Sequence, residues 1–92
     1  MERPLFQVGR TLATPGAIKA LEEADEAAWQ FFQRHSNGDW GDVCKEDAAS
    51  NDQALKNGGR LLSVYHTSRN QRLWLITEAD RSASTLLLSD EY

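Results

Sequence analysis

The chain has 92 residues, of which 40% are hydrophobic and 26% charged, and its formal net charge is −4. This composition excludes a disordered chain, and the length predicts a single domain over residues 1–92. The single cysteine, Cys44, excludes an internal disulfide framework, and the start of the chain has no apolar run long enough for a secretory signal or a membrane span. We therefore expect a cytoplasmic protein.

The charge is unevenly distributed along the chain. Residues 22–52 carry a net charge of −7, whereas the segments before and after them carry +2 and +1. Proteins that bind nucleic acid directly usually have a basic stripe, so this pattern argues against DNA or RNA as the ligand. The acidic segment is either solvated helix surface or a face that binds a basic region of another protein.

Phe6 and Val8 stand at alternate positions near the start of the chain, which predicts a short strand within residues 5–13. Thr14 and Pro15 are typical of a helix start, because threonine can cap the first turn and proline lacks only an N–H group that would have no partner there. We therefore expect a strand followed directly by a helix.

Apolar residues at near-helical spacing continue from this start to about Arg34. The segment is either one helix or two helices with a bend near Asp25, which could cap the second. Asn37-Gly38 is a turn signal that ends it. A further helix is predicted over residues 45–57, and Gly58-Gly59 supplies its C-terminal stop.

In the last third of the chain the apolar period changes from about 3.6 to 2. Apolar runs at 61–66, 73–77 and 84–88 predict three strands, and the polar segments 67–70 and 78–82 between them are typical of turns. The fold class is therefore predicted to be α+β, with an N-terminal strand, a helical middle of two to three helices, and a C-terminal three-stranded antiparallel meander.

The segment 34–43 concentrates an imidazole, two carboxylates, an indole and two glycines, which is typical of a structured loop. His35, Asp39 and Asp42 are residue types that bind metals or transfer protons. Their spacing matches no zinc or calcium loop, and Cys44 has no cysteine partner, so we expect neither a metal nor a cofactor. In a purely structural interpretation, His35 stabilises the end of its helix by charge and Asp39 binds turn amides.

A second dense polar segment lies at 77–82, in the turn between the last two predicted strands. If it converged with the 35–42 loop on one concave pocket, the two would form the site of a small enzyme or ligand-binding protein. If the loops lie apart, Asp80 is expected to bind its own turn and Arg81 to pair with Glu78. The residues of this alternative polar site are His35, Asp39, Asp42, Glu78, Asp80 and Arg81.

Trp40 can be interpreted either as a hot spot that faces a partner protein or as a residue that closes the core of a small domain. Trp29 and Trp74 are predicted to be core residues from their periodic placement. Around Trp40 and along the third helix, carboxylates recur at three- and four-residue spacing, which suits an acidic face for a basic partner. The partner-binding hypothesis names Asp39, Trp40, Asp42, Glu46 and Asp52.

Several motifs of the chain, taken together, resemble one family. They are Gly38-Asp-Trp-Gly41, Ile76-Thr-Glu-Ala-Asp-Arg-Ser82, Ala13-Thr-Pro-Gly-Ala17, Glu46-Asp47 with Asn51, and Glu91-Tyr92. Over nearly its whole length the chain resembles small plasmid-related proteins of conjugative and other mobile elements of bacteria, a family of unknown function. Some of these are labelled as a type I restriction enzyme subunit, but this chain has no methyl-donor-binding glycine loop.

The resemblance implies an accessory role on a mobile element and no defined reaction. We therefore expect a non-enzymatic protein that binds another protein, with interference with host defence, of the anti-restriction or anti-CRISPR type, as its setting. The alternative is a small enzyme or ligand-binding protein whose site is formed by the 35–42 and 77–82 loops. Direct nucleic-acid binding and membrane insertion are not expected, and the sequence does not determine the oligomeric state.

Overall fold

Residues 3–92 are described by a computed structural model of the chain. They form a four-stranded sheet and three α-helices, which confirms the predicted α+β class. The elements in chain order are β1 (Arg10–Ala13), α1 (Pro15–Ala24), α2 (Ala28–Ser36), α3 (Lys45–Asn57), β2 (Leu61–His66), β3 (Arg72–Thr77) and β4 (Ala83–Leu88), followed by a short 3₁₀ helix (Ser89–Glu91). The strand order is β1-β4-β3-β2, and no helix among these residues has both the length and the apolar character needed to span a membrane.

The N-terminal strand is shorter than predicted. β1 begins at Arg10 and pairs in parallel with β4, so Phe6 and Val8 lie outside it. The reason is Gly9, which has a φ of +67° and lies so close to the β3–β4 turn that an added Cβ would collide with the carbonyl oxygen of Arg81. The chain changes direction at this glycine, and Phe6 packs instead against the apolar cluster beside α3.

The helical middle has two helices before α3. α1 begins as predicted, since the Thr14 hydroxyl accepts a 3.1 Å hydrogen bond from the Ala17 amide and Pro15 takes the first helical position. Asp25 adopts the left-handed conformation with a φ of +56° and ends α1, with its amide bonded to the Glu22 carbonyl oxygen at 3.1 Å. The expectation that Asp25 caps the second helix was therefore wrong, because it terminates the first.

The three C-terminal strands form the predicted antiparallel meander, and α3 spans the predicted residues 45–57. Ser63 lies opposite Leu75, and Leu75 lies opposite Leu86, so these side chains point to the same face of the sheet. We call it the inner face, because α1 and α2 pack on it through small and apolar side chains. The inner-face residues of the meander are Leu61, Ser63, Tyr65, Leu73, Leu75, Thr77, Ser84, Leu86 and Leu88.

The opposite side of the sheet, which we call the outer face, carries none of α1, α2 and α3. The central residues of the outer face are Leu12, Leu62, Val64, Trp74, Ile76, Thr85 and Leu87. None of them belongs to the two apolar clusters beneath the helices. Tyr92 covers part of this face, where its ring centre lies 5.1 Å from that of Trp74. This side of the sheet thus lacks a covering helix, and Leu12 and Tyr92 are exposed on it, whereas Val64, Ile76 and Leu87 are at most 8% exposed.

The free edge of β2 is covered by hydrogen bonds from a side chain and a loop. The Asn51 side chain of α3 donates to the Leu62 carbonyl oxygen at 2.7 Å and accepts from the Leu62 amide at 3.0 Å. The Val64 amide donates to the Trp40 carbonyl oxygen at 3.0 Å, and the Val64 carbonyl oxygen accepts from the Asp42 amide at 2.7 Å. These bonds occupy the outward backbone groups of both strand residues, so this edge is protected from pairing with another strand.

The three tryptophans lie in different environments. Trp40 is only 8% exposed and packs in the apolar cluster beside α3, which confirms its interpretation as a core residue. Trp29 is 63% exposed, so its prediction as a core residue was wrong. α2 turns Phe31 and His35 toward the sheet and leaves Trp29 on the solvent side. Trp74 is partly exposed on the outer face.

We expect Trp40→Ala to destabilise the protein by about 3–5 kcal/mol, the usual cost of removing a large buried aromatic side chain. For a chain of this size the melting temperature should then fall by more than about 10 °C. The matched control is Trp29→Ala, which removes the same side chain from an exposed position and should change the melting temperature only slightly. Equal shifts in thermal melts of the two variants would contradict the assignment of Trp40 to the core.

Candidate functional site

A group of polar side chains in the core surrounds His35. This residue lies on the inward side of α2 and is fully buried. Its Nδ1 atom lies 2.5 Å from the Ser63 hydroxyl on β2, and its Nε2 atom lies 2.8 Å from the Thr77 hydroxyl on β3. The rings of Phe6 and Trp40 pack edge-on against the imidazole, at centroid distances of 5.1 and 5.6 Å. The imidazole is thus enclosed by two hydroxyl groups and two aromatic rings.

The hydrogen bonds continue from Thr77 to the adjacent strand. Thr77 Oγ1 lies 2.6 Å from Ser84 Oγ, and Ser84 donates to the Val8 carbonyl oxygen at 2.7 Å. Because each hydroxyl has one proton and that of Ser84 is directed to Val8, Thr77 donates to Ser84. His35 Nε2–H must then donate to Thr77, and when the imidazole is neutral its Nδ1 accepts the Ser63 proton. We call this chain of bonds the histidine relay.

The histidine relay requires a neutral imidazole. Burial, with a smaller contribution from the positive charge of Arg81, lowers the pKa of His35 from 6.5 to about 4. The expectation that His35 stabilises the end of its helix by charge was therefore wrong. Ser63 and His35 have the separation of a nucleophile and a general base, but both side chains are fully buried, so a substrate has no access to them.

Asp39 holds the loop that follows α2. Its carboxylate accepts a 2.7 Å hydrogen bond from Arg34 Nε and a 3.1 Å bond from the Gly41 amide, and these bonds, chiefly the first, lower the pKa of Asp39. The Asp39 carbonyl oxygen accepts a 2.7 Å bond from the Tyr65 hydroxyl, and the Arg34 guanidinium lies 4.4 Å from the centre of the Tyr65 ring. Gly41 is required because its φ is +71° and a Cβ there would collide with the Val64 carbonyl oxygen. The predicted role of Asp39 in its turn is confirmed.

The five residues of the partner-binding hypothesis do not form one free surface. Trp40 is buried, and Asp39 is held in its ion pair. The Asp42 carboxylate lies 2.7 Å from Nδ1 of His66, at the end of β2. Glu46 and Asp52 are exposed on α3 without an ion-pair partner in the described part of the chain, but a separation of six helical positions places their side chains about 120° apart.

Arg81 binds backbone carbonyls instead of a carboxylate. Its guanidinium donates to the carbonyl oxygens of Gly59 at 2.6 Å, Ala54 at 3.0 Å and Glu78 at 3.1 Å. The expected pairing with the Glu78 carboxylate was therefore wrong, and Arg81 joins the end of α3 to the β3–β4 turn. The Asp80 carboxylate accepts a 2.9 Å bond from the amide two residues later, as predicted for a turn aspartate.

The two polar loops lie apart. The 35–42 loop is bonded to the C-terminal half of β2, whereas the 77–82 turn lies at the N-terminal end of β2, because Thr77 is opposite Leu61 in the sheet. Five residues of extended strand separate the two ends of β2 by about 17 Å. Among residues 3–92 the hydrogen bond between the two loops is the buried one of His35 with Thr77, and the Phe6 ring lies between His35 and Arg81. The described part of the chain has no group of three or more metal-binding side chains.

Three members of the histidine relay were missed by reasoning from the sequence. Ser63, Thr77 and Ser84 stand at inward strand positions, where alternation predicts apolar side chains. Hydroxyl residues at such positions, together with a histidine on the inward side of a helix, are a signal for a buried network, but the signal depends on the strand register. Asn51 belongs to the motifs of the resemblance, but its bonds to the edge of β2 were not predicted, because a polar residue on a helix is ordinary.

No protein-family model, curated protein or solved structure matches this chain. The resemblance to plasmid-related proteins, which depends on the motifs, therefore stays a prediction. Function has to be inferred from the chemistry of the residues and from the surfaces that the fold leaves exposed.

We expect the free energy of unfolding to fall as the pH is lowered from about 6.5 to about 4, because His35 takes up a proton in the unfolded chain but not in the folded one. Each pKa unit is worth about 1.4 kcal/mol, so the loss due to His35 amounts to about 3 kcal/mol and is complete near pH 4. Urea unfolding at several pH values measures it.

His35→Gln should remove this part of the pH dependence. The matched control is Trp29→Gln, which changes an exposed, non-titratable residue of the same helix and should keep the pH dependence of the parent. The neutral, buried state of His35 is contradicted if parent and His35→Gln lose stability equally over this pH range.

Proposed function

We propose that this protein is a non-enzymatic accessory protein of a bacterial mobile element that acts by binding another protein in the cytoplasm. One observation carries the proposal. The polar side chains suited to chemistry are bonded within the fold, whereas the apolar outer face of the sheet is left without a covering helix. A binding function needs such a face and does not need a reactive group.

The alternative, a small enzyme or ligand-binding protein, would need polar groups that open to a pocket. The imidazole of His35 is closed to solvent, the carboxylates of Asp39 and Asp80 hold turns, and the donors of Arg81 are taken by carbonyl oxygens. Three surface depressions of about 230, 250 and 270 Å³ are lined by other residues. These volumes lie below the range of roughly 300–1,000 Å³ that is usual for ligand pockets.

The outer face has the composition of a protein-binding surface. Tryptophan, tyrosine and arginine are the residue types most enriched at interaction hot spots, and Trp74, Tyr92 and Arg60 lie together here. Leu12 is 41% exposed and Tyr92 is 67% exposed on the same face. Leu62 and Trp74 are partly exposed beside them, whereas Val64, Ile76 and Leu87 are at most 8% exposed. Exposed aromatic side chains beside an arginine favour contact with another protein.

The mobile-element setting comes from the motif resemblance, and interference with host restriction or CRISPR machinery is the activity proposed within it. A protein that blocks a defence enzyme by binding needs a surface and no active site. This agrees with the polar loops, in which Asp39, Asp80 and Arg81 form hydrogen bonds to other groups of the fold. Glu46 and Asp52 are candidates for an additional electrostatic contact, because exposed charges increase the rate at which partners meet.

The test is affinity purification of the tagged protein from extracts of its bacterial host, followed by binding measurements with the purified partner. Leu12→Lys places a charge on the outer face, and Ile18→Lys places the same charge on the exposed side of α1. The two parent side chains are 41% and 47% exposed, so both variants should fold. We expect Leu12→Lys to weaken binding by about tenfold or more, which corresponds to about 1.4 kcal/mol, and Ile18→Lys to leave it unchanged.

The proposal is contradicted if the tagged protein retains no partner above the level of an unrelated tagged protein. Equal weakening by Leu12→Lys and Ile18→Lys would remove the outer face from the interface. The double variant Glu46→Lys, Asp52→Lys tests the carboxylates of α3 as a separate surface. If this variant alone loses binding, and loses it only at low salt, the contact lies on α3 and not on the outer face.

A further inference from the structure

We propose that the outer face binds a segment of another protein in which a large apolar side chain stands next to a carboxylate. The apolar group occupies a depression beside Trp74, and the carboxylate binds Arg60. This inference rests on the proposed function and specifies the chemistry of the partner.

The depression lies on the outer face at the N-terminal end of β2, beside Tyr92. Its volume is about 270 Å³, and it is lined mainly by apolar side chains. A space of this size, below the usual range of small-molecule pockets, suits one large side chain better than a cofactor. The lining residues are Arg60, Leu61, Leu62, Trp74, Ile76 and Tyr92.

Arg60 stands exposed at the rim of the depression with most of its donors free. Its one hydrogen bond within the fold is to the Tyr92 hydroxyl at 3.4 Å, and no carboxylate of residues 3–92 lies within ion-pair distance of it. Glu78 acts on Arg60 only from a greater distance. A guanidinium group has five N–H donors in a planar fork, so Arg60 can bind an arriving carboxylate through two parallel bonds.

Trp74 supplies a second unsatisfied donor at the same place. Its indole Nε1 is buried and has no hydrogen-bond acceptor among residues 3–92. An unpaired buried donor is unfavourable, so a shift of the Tyr92 ring that let a partner's carbonyl oxygen reach it would favour the complex. The Tyr92 ring packs on Trp74 at the wall of the depression and is itself 67% exposed, so it can shift as a partner segment enters without disturbing the core.

The size and charge of the outer face disfavour a second copy of the chain as the occupant. Three strands of six residues and one of four, spaced by about 4.8 Å with a rise of about 3.4 Å per residue, cover roughly 360 Å². A stable interface between globular partners needs about 800 Å² on each side. A two-fold dimer would also bring the same arginines of both copies, Arg10, Arg60 and Arg72, into one contact. A short acidic segment fits both the small area and the exposed guanidinium of Arg60.

The test is a selection of short random peptides displayed on phage against the immobilised protein, followed by titration of the selected peptide in solution. We expect the selected peptides to share a large apolar residue next to an aspartate or glutamate. Arg60→Glu should weaken binding by about tenfold or more. The matched control, Arg69→Glu, makes the same charge change in the exposed β2–β3 turn and should have no effect. In NMR titrations the indole N–H signal of Trp74 should shift.

Several results would overturn this inference. Equal binding by Arg60→Glu and Arg69→Glu, or selection of no peptide, excludes the proposed anchor. Selection of basic peptides whose binding is lost in Glu46→Lys, Asp52→Lys assigns the contact to α3. Dimerisation that Leu12→Lys prevents would identify a second copy of the chain as the occupant. A shift of the Trp74 signal on addition of oligothymidylate would identify a single-stranded nucleic acid.

The peptide result and the purification result are independent. A purified partner whose binding depends on Leu12 but not on Arg60 leaves the proposed function standing and contradicts only the further inference. The converse, a peptide that binds at Arg60 while no host protein is retained, contradicts the proposed function.

Discussion

The fold depends on one neutral imidazole placed between two hydroxyl groups beneath the sheet. His35 connects α2 to β2 through Ser63 and to β3 through Thr77, and the bonds then pass through Ser84 to the N-terminal segment at Val8. A buried polar group without a partner is costly, so the position of α2 and the register of three strands are fixed together. A slip of one residue in a strand would turn its hydroxyl to the outer face and break the histidine relay.

The other polar residues of the sequence motifs connect distant parts of the chain in the same way. The Thr14 hydroxyl donates to Glu91 at 2.6 Å and joins the start of α1 to the chain end, and the Asn51 side chain joins α3 to the edge of β2. Arg81 joins α3 to the β3–β4 turn. A chain of this length buries a modest share of its surface, so such bonds are needed to hold its loops. They leave the outer face as the surface available for function.

Local signals in the sequence were sufficient for most of the architecture. The period of two identified the meander, and Gly58-Gly59 marked the end of α3 at the right place. Trp29 was predicted to be buried because its position fits the apolar spacing that runs from α1 into α2. In the structure Asp25 adopts the left-handed conformation and ends α1, so the buried side of α2 does not continue that of α1. The end of β1 at Gly9 and the members of the histidine relay depend on contacts between residues far apart in sequence, which periodicity does not contain. For the same reason the sequence could not decide whether the two polar loops converge.

The central claim, that the most conspicuous reactive side chain serves the fold, is tested most directly by nitrogen NMR of the imidazole in ¹⁵N-histidine-labelled protein. His35 is predicted to show one protonated Nε2 and one unprotonated Nδ1, with an N–H signal that exchanges slowly and does not change between about pH 7 and about pH 5. His35→Gln assigns the signal. An imidazole that carries both protons near pH 6, or one protonated on Nδ1 instead, would contradict the histidine relay and make His35 a candidate for chemistry.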